Sequence, residues 1–261
     1  MEFKETEISK IYPNAYFGYN KITVERPLRL SVRFTTDAIE SLRFEKGLQE
    51  EMEWVYTHFV NDVYGDLKKH KDKIEAHLNK HEIKLKPADK SNLLSIDFWK
   101  KQLELMNAAK QLADKLGNKQ YDDYNLFVPL LNQAIKQLKL DLDAKGIKSI
   151  LNAISWKNED AEPIVKKTEK NGAVVYEADS DLRDSENVPL DQDIHEYFNR
   201  EVLQHIPDAW IDESKTVKGY EISFTRYFYN YVPPRSIEEI TVEIFNLEKE
   251  TEGILKEIIN D

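Results

Sequence analysis

Four arginines, Arg26, Arg29, Arg226 and Arg235, are the side chains in this chain best suited to gripping a charged ligand. A guanidinium is a planar fork of donors that matches phosphate oxygens, so all four are candidates for contact with a nucleic-acid backbone. The competing reading weighs more: Glu25, Glu221 or the acidic stretch 181–213 neutralises them as structural ion pairs. Histidines raise metal chemistry next. His77 and His81 stand four apart, a spacing that puts two imidazoles on one face of a helix. A zinc protease of the zincin type carries its glutamate directly after the first histidine, where this chain has Leu78; Glu82 follows the second instead. Set among lysines, the pair reads as a solvated face. His195 and His205 lie near carboxylates, but no serine or cysteine nucleophile signature accompanies them. No catalytic, cofactor-binding or metal-binding residue is assigned.

Charge narrows the partners. The 261 residues carry a formal charge of −11, which opposes nonspecific DNA binding by the chain as a whole. Any DNA contact has to be local. Between Lys68 and Lys90, eight lysines (68, 69, 71, 73, 80, 84, 86 and 90) face Asp72, Glu75, Glu82 and Asp89, an excess of four positive charges. Between Asn171 and Ser214 only Arg183 and Arg200 offset twelve carboxylates, so that stretch faces away from DNA or meets basic groups on a partner. The absence of cysteine excludes a disulfide scaffold and a thiolate zinc site. No apolar run approaches the ~18 residues that cross a bilayer. Met1-Glu2-Phe3-Lys4-Glu5 does not read as a signal peptide, so the expectation is a soluble, cytoplasmic protein without a membrane contact.

The elements that must position these groups follow from hydrophobic period. Eight glycines and nine prolines are few for this length and favour helices. Lys21–Phe34 alternates in two short strand-like runs broken by Pro27. From Asp37, a candidate N-cap, the period turns helical through Ile39, Leu42, Leu48, Met52, Val55, Phe59 and Val63. Pro87 and Ser91 break the pattern. Trp99, Leu103, Met106, Leu112 and Leu116 predict a helix stopped by Gly117, followed by one through Phe127–Leu138 and a short one after Asp143. Ala173–Tyr176 predicts a strand after the turn Asn171-Gly172, and Leu190–Val202 a helix with Ile194, Tyr197, Phe198 and Val202 on one face. Tyr220–Tyr229 reads as a strand with one wet side. With Lys21–Phe34 and Ala173–Tyr176 it is expected to form a small antiparallel sheet joining the chain's ends. Trp156, Trp210 and Tyr220 read as core aromatics.

The fold class expected is α+β, mostly α-helical: a helical block, a small antiparallel sheet and a long C-terminal helix. The segments are 1–35 (strand), 36–155 (helical block), 156–235 (α+β) and 236–261 (coiled-coil-like helix). In the last, Ile237, Ile240, Ile244, Leu247, Thr251, Ile254 and Ile258 are spaced alternately three and four apart, the a/d register of a coiled coil. Ser236-Ile237-Glu238-Glu239 is a capping-box start, and about 24 residues at ~1.5 Å each make a rod of ~36 Å. So narrow a stripe suits one or two partner helices. The pattern alone leaves open whether Ile244, Leu247, Ile254 and Ile258 meet the chain's own helices or another subunit.

One set of ordered blocks resembles a known family. Phe17-Gly-Tyr-Asn-Lys-Ile-Thr-Val-Glu-Arg-Pro-Leu-Arg-Leu30 comes first, then Ser155-Trp156, Glu162-Pro-Ile-Val-Lys-Lys167 and Asp181-Leu-Arg-Asp-Ser-Glu-Asn-Val-Pro-Leu190. Pro207-Asp-Ala-Trp-Ile-Asp212, Gly219-Tyr-Glu-Ile222, Phe224-Thr-Arg226 and Pro233-Pro-Arg235 complete it. In that order they are similar to the C-terminal part of the M (modification) subunit of type I restriction-modification systems. Both ends of the chain are covered well and the middle, roughly 37–140, poorly. The ordered set is specific, whereas any single block is weak.

The resemblance implies a fragment of a DNA adenine-N6 methylase subunit whose methylase domain, with its S-adenosylmethionine, lies N-terminal to this region. An N6 methylase needs a Gly-rich cofactor turn and an Asn/Asp-Pro-Pro-aromatic loop for the flipped base. Phe17-Gly18-Tyr19 is a lone glycine between aromatics, and the only Pro-Pro, Val232-Pro233-Pro234-Arg235, lacks both flanking residue types. The fragment is therefore expected to be non-catalytic and to bind no cofactor itself. Its partners by resemblance are the S (specificity) subunit, whose spacers are helical, DNA through the assembled complex, and the restriction subunit. That tips the C-terminal stripe toward intersubunit contact. The alternative function is a self-contained DNA-binding or regulatory module.

Overall fold

Side-chain caps set most of the helix starts. Thr35 accepts from Ala38 N, Ser95 from Phe98 N and Asp143 from Gly146 N, each meeting a backbone donor that the first turn leaves without a partner. The structure, a computed structural model, describes residues 4–6, 9–223, 225 and 233–259, with Asn61 and residues 252–259 described by backbone alone. It is a mostly α-helical α+β protein with small antiparallel sheets and a long C-terminal helix. The chain divides into two compact units: one of Ile22–Glu186 with His195–Thr216, the other of Met1–Lys21, Asn187–Ile194 and Val217–Asp261. Among the described residues no helix is long and apolar enough to cross a membrane.

Within Ile22–Glu186 the larger unit carries seven α-helices among the described residues: α1 (Thr36–Ser41), α2 (Gln49–Phe59), α3 (Lys71–Lys80), α4 (Pro87–Leu93), α5 (Ile96–Leu116), α6 (Tyr124–Leu138) and α7 (Ala144–Ile154). They bury two apolar clusters. One gathers Val32, Phe34, Met106, Leu112, Phe127, Leu131 and Ile150; the other gathers Leu48, Met52, Leu67, Ile74, Leu93 and Trp99. Helix α5 is long enough, at 21 residues, to place Trp99 in one cluster and Met106 and Leu112 in the other. Each such side chain taken out of water contributes ~1.5–3 kcal/mol. The Trp99 indole N–H, unable to reach water, donates to Leu93 O at 2.9 Å. Gly117, with φ +79°, ends α5 in the left-handed region where a residue without Cβ is unstrained.

Several expectations need correction. Pro87 is the first residue of α4, because its missing N–H costs nothing there, and Ser91 sits inside that helix. Thr35 caps α1, and Asp37 lies within its first turn. Trp156 and Tyr220 are 41% and 63% exposed, so they are not core aromatics.

Strands in the larger unit are short. The second half of β1 (Gly18–Glu25) pairs with β7 (Trp210–Ile211), β2 (Leu30–Val32) with β3 (Ser155–Lys157), and β4 (Val165–Thr168) with β5 (Val174–Tyr176), all antiparallel. Pro27 separates β1 from β2 as the sequence predicts. Between β5 and β7 in the chain lie β6 (Asp184–Pro189) and α8 (Ile194–Glu201), whose Phe198 is buried. The single sheet expected to join the chain's ends is therefore divided: among the described residues Val174–Tyr176 pairs only with its own hairpin partner.

In the smaller unit the first half of β1, Gly18 to Lys21, pairs with β8 (Val217–Tyr220). The strand expected over Tyr220–Tyr229 ends where that reading began, and Phe224 and residues 226–229 lie outside the described residues. Tyr19 is opposite Gly219, and a Cβ there would come within 2.6 Å of the Tyr19 ring. A larger residue at that position requires the Tyr19 ring to move aside. The unit ends in α9 (Ile237–Ile259).

Candidate interaction surface

Helix α9 begins as a reciprocal cap. Glu239 N donates to the Ser236 hydroxyl and Ser236 N to the Glu239 carboxylate, each at 3.1 Å. Arg235 forms an ion pair with Glu243 one turn further in. Every residue from 233 to 251 is exposed. The apolar stripe is included, with Ile237 at 79%, Ile240 at 38%, Ile244 at 58% and Leu247 at 55% exposure, against 0–8% for the buried residues of the two cores. Thr251, on the same stripe, turns its hydroxyl onto Leu247 O at 2.9 Å, so it presents a methyl without an unmet polar group. Ile254 and Ile258 continue the register in the helical backbone, and their side chains lie outside the described ones. From Ile237 to Leu247 the stripe is thus a row of branched aliphatics exposed to water.

The four arginines have different surroundings. Arg29 donates to Ala161 O at 2.6 Å and to Asp208 at 3.0 Å, so one of its forks is held by the acidic stretch. Arg235 is held by Glu243, and Arg226 lies outside the described residues. Arg26 makes no side-chain bond among the described residues, and its Nε is buried without an acceptor. Glu25 does not reach it. Instead, the buried Glu25 carboxylate accepts from Arg183 at 2.8 Å and Lys215 at 2.9 Å, leaving Oε2 unpartnered. Lys215 also bonds Asp212 at 2.7 Å, which lowers the Asp212 pKa and raises that of Lys215. A second cation, Lys157, lies between Asp179 at 2.5 Å and Asp181 at 2.6 Å. Sequence reasoning missed both hubs, because Glu25 and Arg183 are 158 positions apart and no spacing announces them.

Of the eight lysines from 68 to 90, Lys69 pairs with Asp62 at 3.0 Å and Lys90 with Glu75 at 2.9 Å. Lys68, Lys71, Lys73, Lys80, Lys84 and Lys86 are exposed, and no ion pair is formed by them among the described residues. Of the pair His77 and His81, His81 is exposed as expected, whereas His77 is half-buried. His77 lies flat on Trp54, with ring centroids 3.6 Å apart, and His81 is 4.5 Å from His77. His58 stacks on the same indole at 4.2 Å. Among the described residues no group of three or more His, Cys, Asp or Glu side chains is arranged to hold a metal ion. His195 approaches Glu213 at 3.6 Å.

An open cleft of about 810 Å³ runs between α5, α7 and the connection before α7, floored by Leu105, Ala108 and Leu142. Buried Gln102 donates there to Glu45 at 3.0 Å, and Lys145 reaches the same carboxylate at 3.3 Å. Lys101, also on the lining, lies 3.8 Å from Asp143. Comparison with family models, with curated proteins and with solved structures finds no match to this chain.

Proposed function

We propose that the chain is the C-terminal, non-catalytic part of a type I restriction-modification M subunit, and that it serves assembly with the S subunit and DNA engagement by the complex. Two lines support the reading. The ordered blocks from Phe17 to Leu30 and from Ser155 to Arg235 resemble that family. The observation that carries the proposal is the exposed heptad stripe of α9, from Ile237 through Leu247, which has the form of a helix awaiting a helical partner. On this reading S-adenosylmethionine belongs to the methylase domain, the restriction subunit joins the assembled enzyme, and the complex works in the cytoplasm on cellular DNA.

The test is co-purification with the cognate S subunit, comparing the natural chain with the double variant Ile244→Asp, Leu247→Asp. A carboxylate buried in an apolar seam costs several kcal/mol unless paired, so association is expected to be lost. The melting temperature of the isolated chain is expected to stay within about 2 °C, since exposed substitutions shift stability by about ±0.5 kcal/mol. Failure of the natural chain to bind, or a large fall in melting temperature, sinks the reading.

The rival, a self-contained DNA-binding module, draws on the six lysines without ion pairs. With four excess charges in a chain of −11, duplex binding is expected to be weak and to vanish between ~50 and ~200 mM salt. Tight binding at the upper salt concentration favours the rival.

A further inference from the structure

The two flanks of the α9 stripe carry information that the stripe alone does not. With Ile237, Ile244 and Thr251 at a and Ile240 and Leu247 at d, the g positions are Glu243, Glu250 and Glu257, and the e positions Thr241, Glu248 and Leu255. No cation occupies either flank. The helix's two lysines, Lys249 and Lys256, fall at f, the position farthest from the seam. Seven glutamates against two lysines leave α9 with a charge of −5.

We propose that the occupant of this face is a helix with an apolar seam bordered by lysine or arginine, and that a second copy of α9 is excluded by charge. This rests on the reading of α9 as a docking helix and names the chemistry of what docks. In a parallel pair of α9 helices Glu243 meets Glu248 of the other copy, once on each side; in an antiparallel pair the g flank, all glutamate, meets itself. Like charges opposed across a seam repel, and nothing on these flanks offsets them. Among the described residues of α9 only Glu243 has a cation of its own, Arg235. Glu248 and Glu250 have no ion pair among the described residues and are exposed beside Leu247, free to accept from a basic partner.

Two synthetic peptides of three heptads test this, with the same Ile and Leu seam and either lysine or glutamate at every e and g position. Each is labelled and titrated with the full chain by fluorescence anisotropy. The lysine peptide is expected to bind at least ten times more tightly at ~50 mM salt, with the gap shrinking at ~500 mM as screening shortens the range of the flanking charges. The triple variant Glu243→Lys, Glu248→Lys, Glu250→Lys, checked for helix content by circular dichroism, is expected to reverse the preference. Equal affinity for both peptides, or tighter binding of the glutamate peptide, overturns the charge assignment and leaves the docking reading standing. Self-association of the natural chain at micromolar concentration in sedimentation equilibrium also overturns it, since the occupant is then a second copy. Binding of neither peptide, with no loss of S-subunit association in Ile244→Asp, Leu247→Asp, overturns the docking reading and this proposal together.

Discussion

The imidazole of His77 lies on the indole of Trp54 with ring centroids 3.6 Å apart and planes 12° from parallel. Helix α2 supplies the tryptophan and α3 the histidine, and the neighbouring Leu78 is buried in the same apolar cluster. The contact therefore joins two helices rather than decorating one. His58, one turn along α2, stacks on the same indole and donates from Nδ1 to Trp54 O, 2.8 Å away.

His77 is expected to titrate below the ordinary histidine value of about 6.5. Burial against the indole disfavours the charged ring, and His81, His58 and Lys80 add like charge. A depressed folded pKa means that the contribution to stability is present above the unfolded value and is lost as pH falls through the folded one. Imidazole proton shifts in an NMR titration measure this directly. Trp54→Leu is expected to move the His77 midpoint up; a midpoint at or above that of an unfolded histidine in the natural chain contradicts the prediction.

Glu25→Ala is expected to destabilise the protein by about 1–3 kcal/mol, because it leaves Arg183 and Lys215 without the carboxylate they share. The figure is set below that for a fully buried pair, since both cations are partly in water. Urea unfolding of the two proteins gives the difference. An unchanged midpoint means that the hub contributes nothing.

Acidification acts on a separate group of carboxylates. Hydrogen bonds lower the pKa of Asp62 (from His70, then Lys69), Asp122 (from Ser31, then Gln120), Asp181 (from Lys157) and Asp212 (from Lys215, then Ser214). Each depressed carboxylate contributes stability that is present above its unfolded value of about 3.9 and is lost as pH falls through the folded one. The urea midpoint is therefore expected to fall with increasing steepness below about pH 4. A midpoint that stays flat from pH 5 to pH 2.5 refutes this.

Two adjacent leucines on α6 separate packing from composition. Leu131 is fully buried and Leu130 is 41% exposed. Leu131→Ala is expected to cost about 2–5 kcal/mol and Leu130→Ala under about 1 kcal/mol. Similar losses at both positions, measured by thermal or urea unfolding, contradict the placement of the Leu131 face of α6 in the cluster with Phe34, Met106 and Ile150.

Helices from Ile96 to Leu116, Tyr124 to Leu138 and Ala144 to Ile154 were legible in the chain because their signals are local: an apolar residue every three or four positions, Gly117 as a stop, Asp143 as a start. The same holds for α9, whose capping box and heptad spacing both lie within one segment. What only the tertiary structure decided is where distant residues meet. Arg29 finds Asp208, Glu25 finds Arg183 and Lys215 while Arg26 goes without, and His77 finds an indole instead of solvent. Strand pairing belongs to the same class: alternation showed that Lys21–Phe34 is extended, yet β1 pairs with β7 and β8, and β2 with β3. A period fixes which face of an element is apolar, but the partner of a charge, a ring or a strand edge depends on long-range packing, and packing leaves no repeat in the sequence to be read.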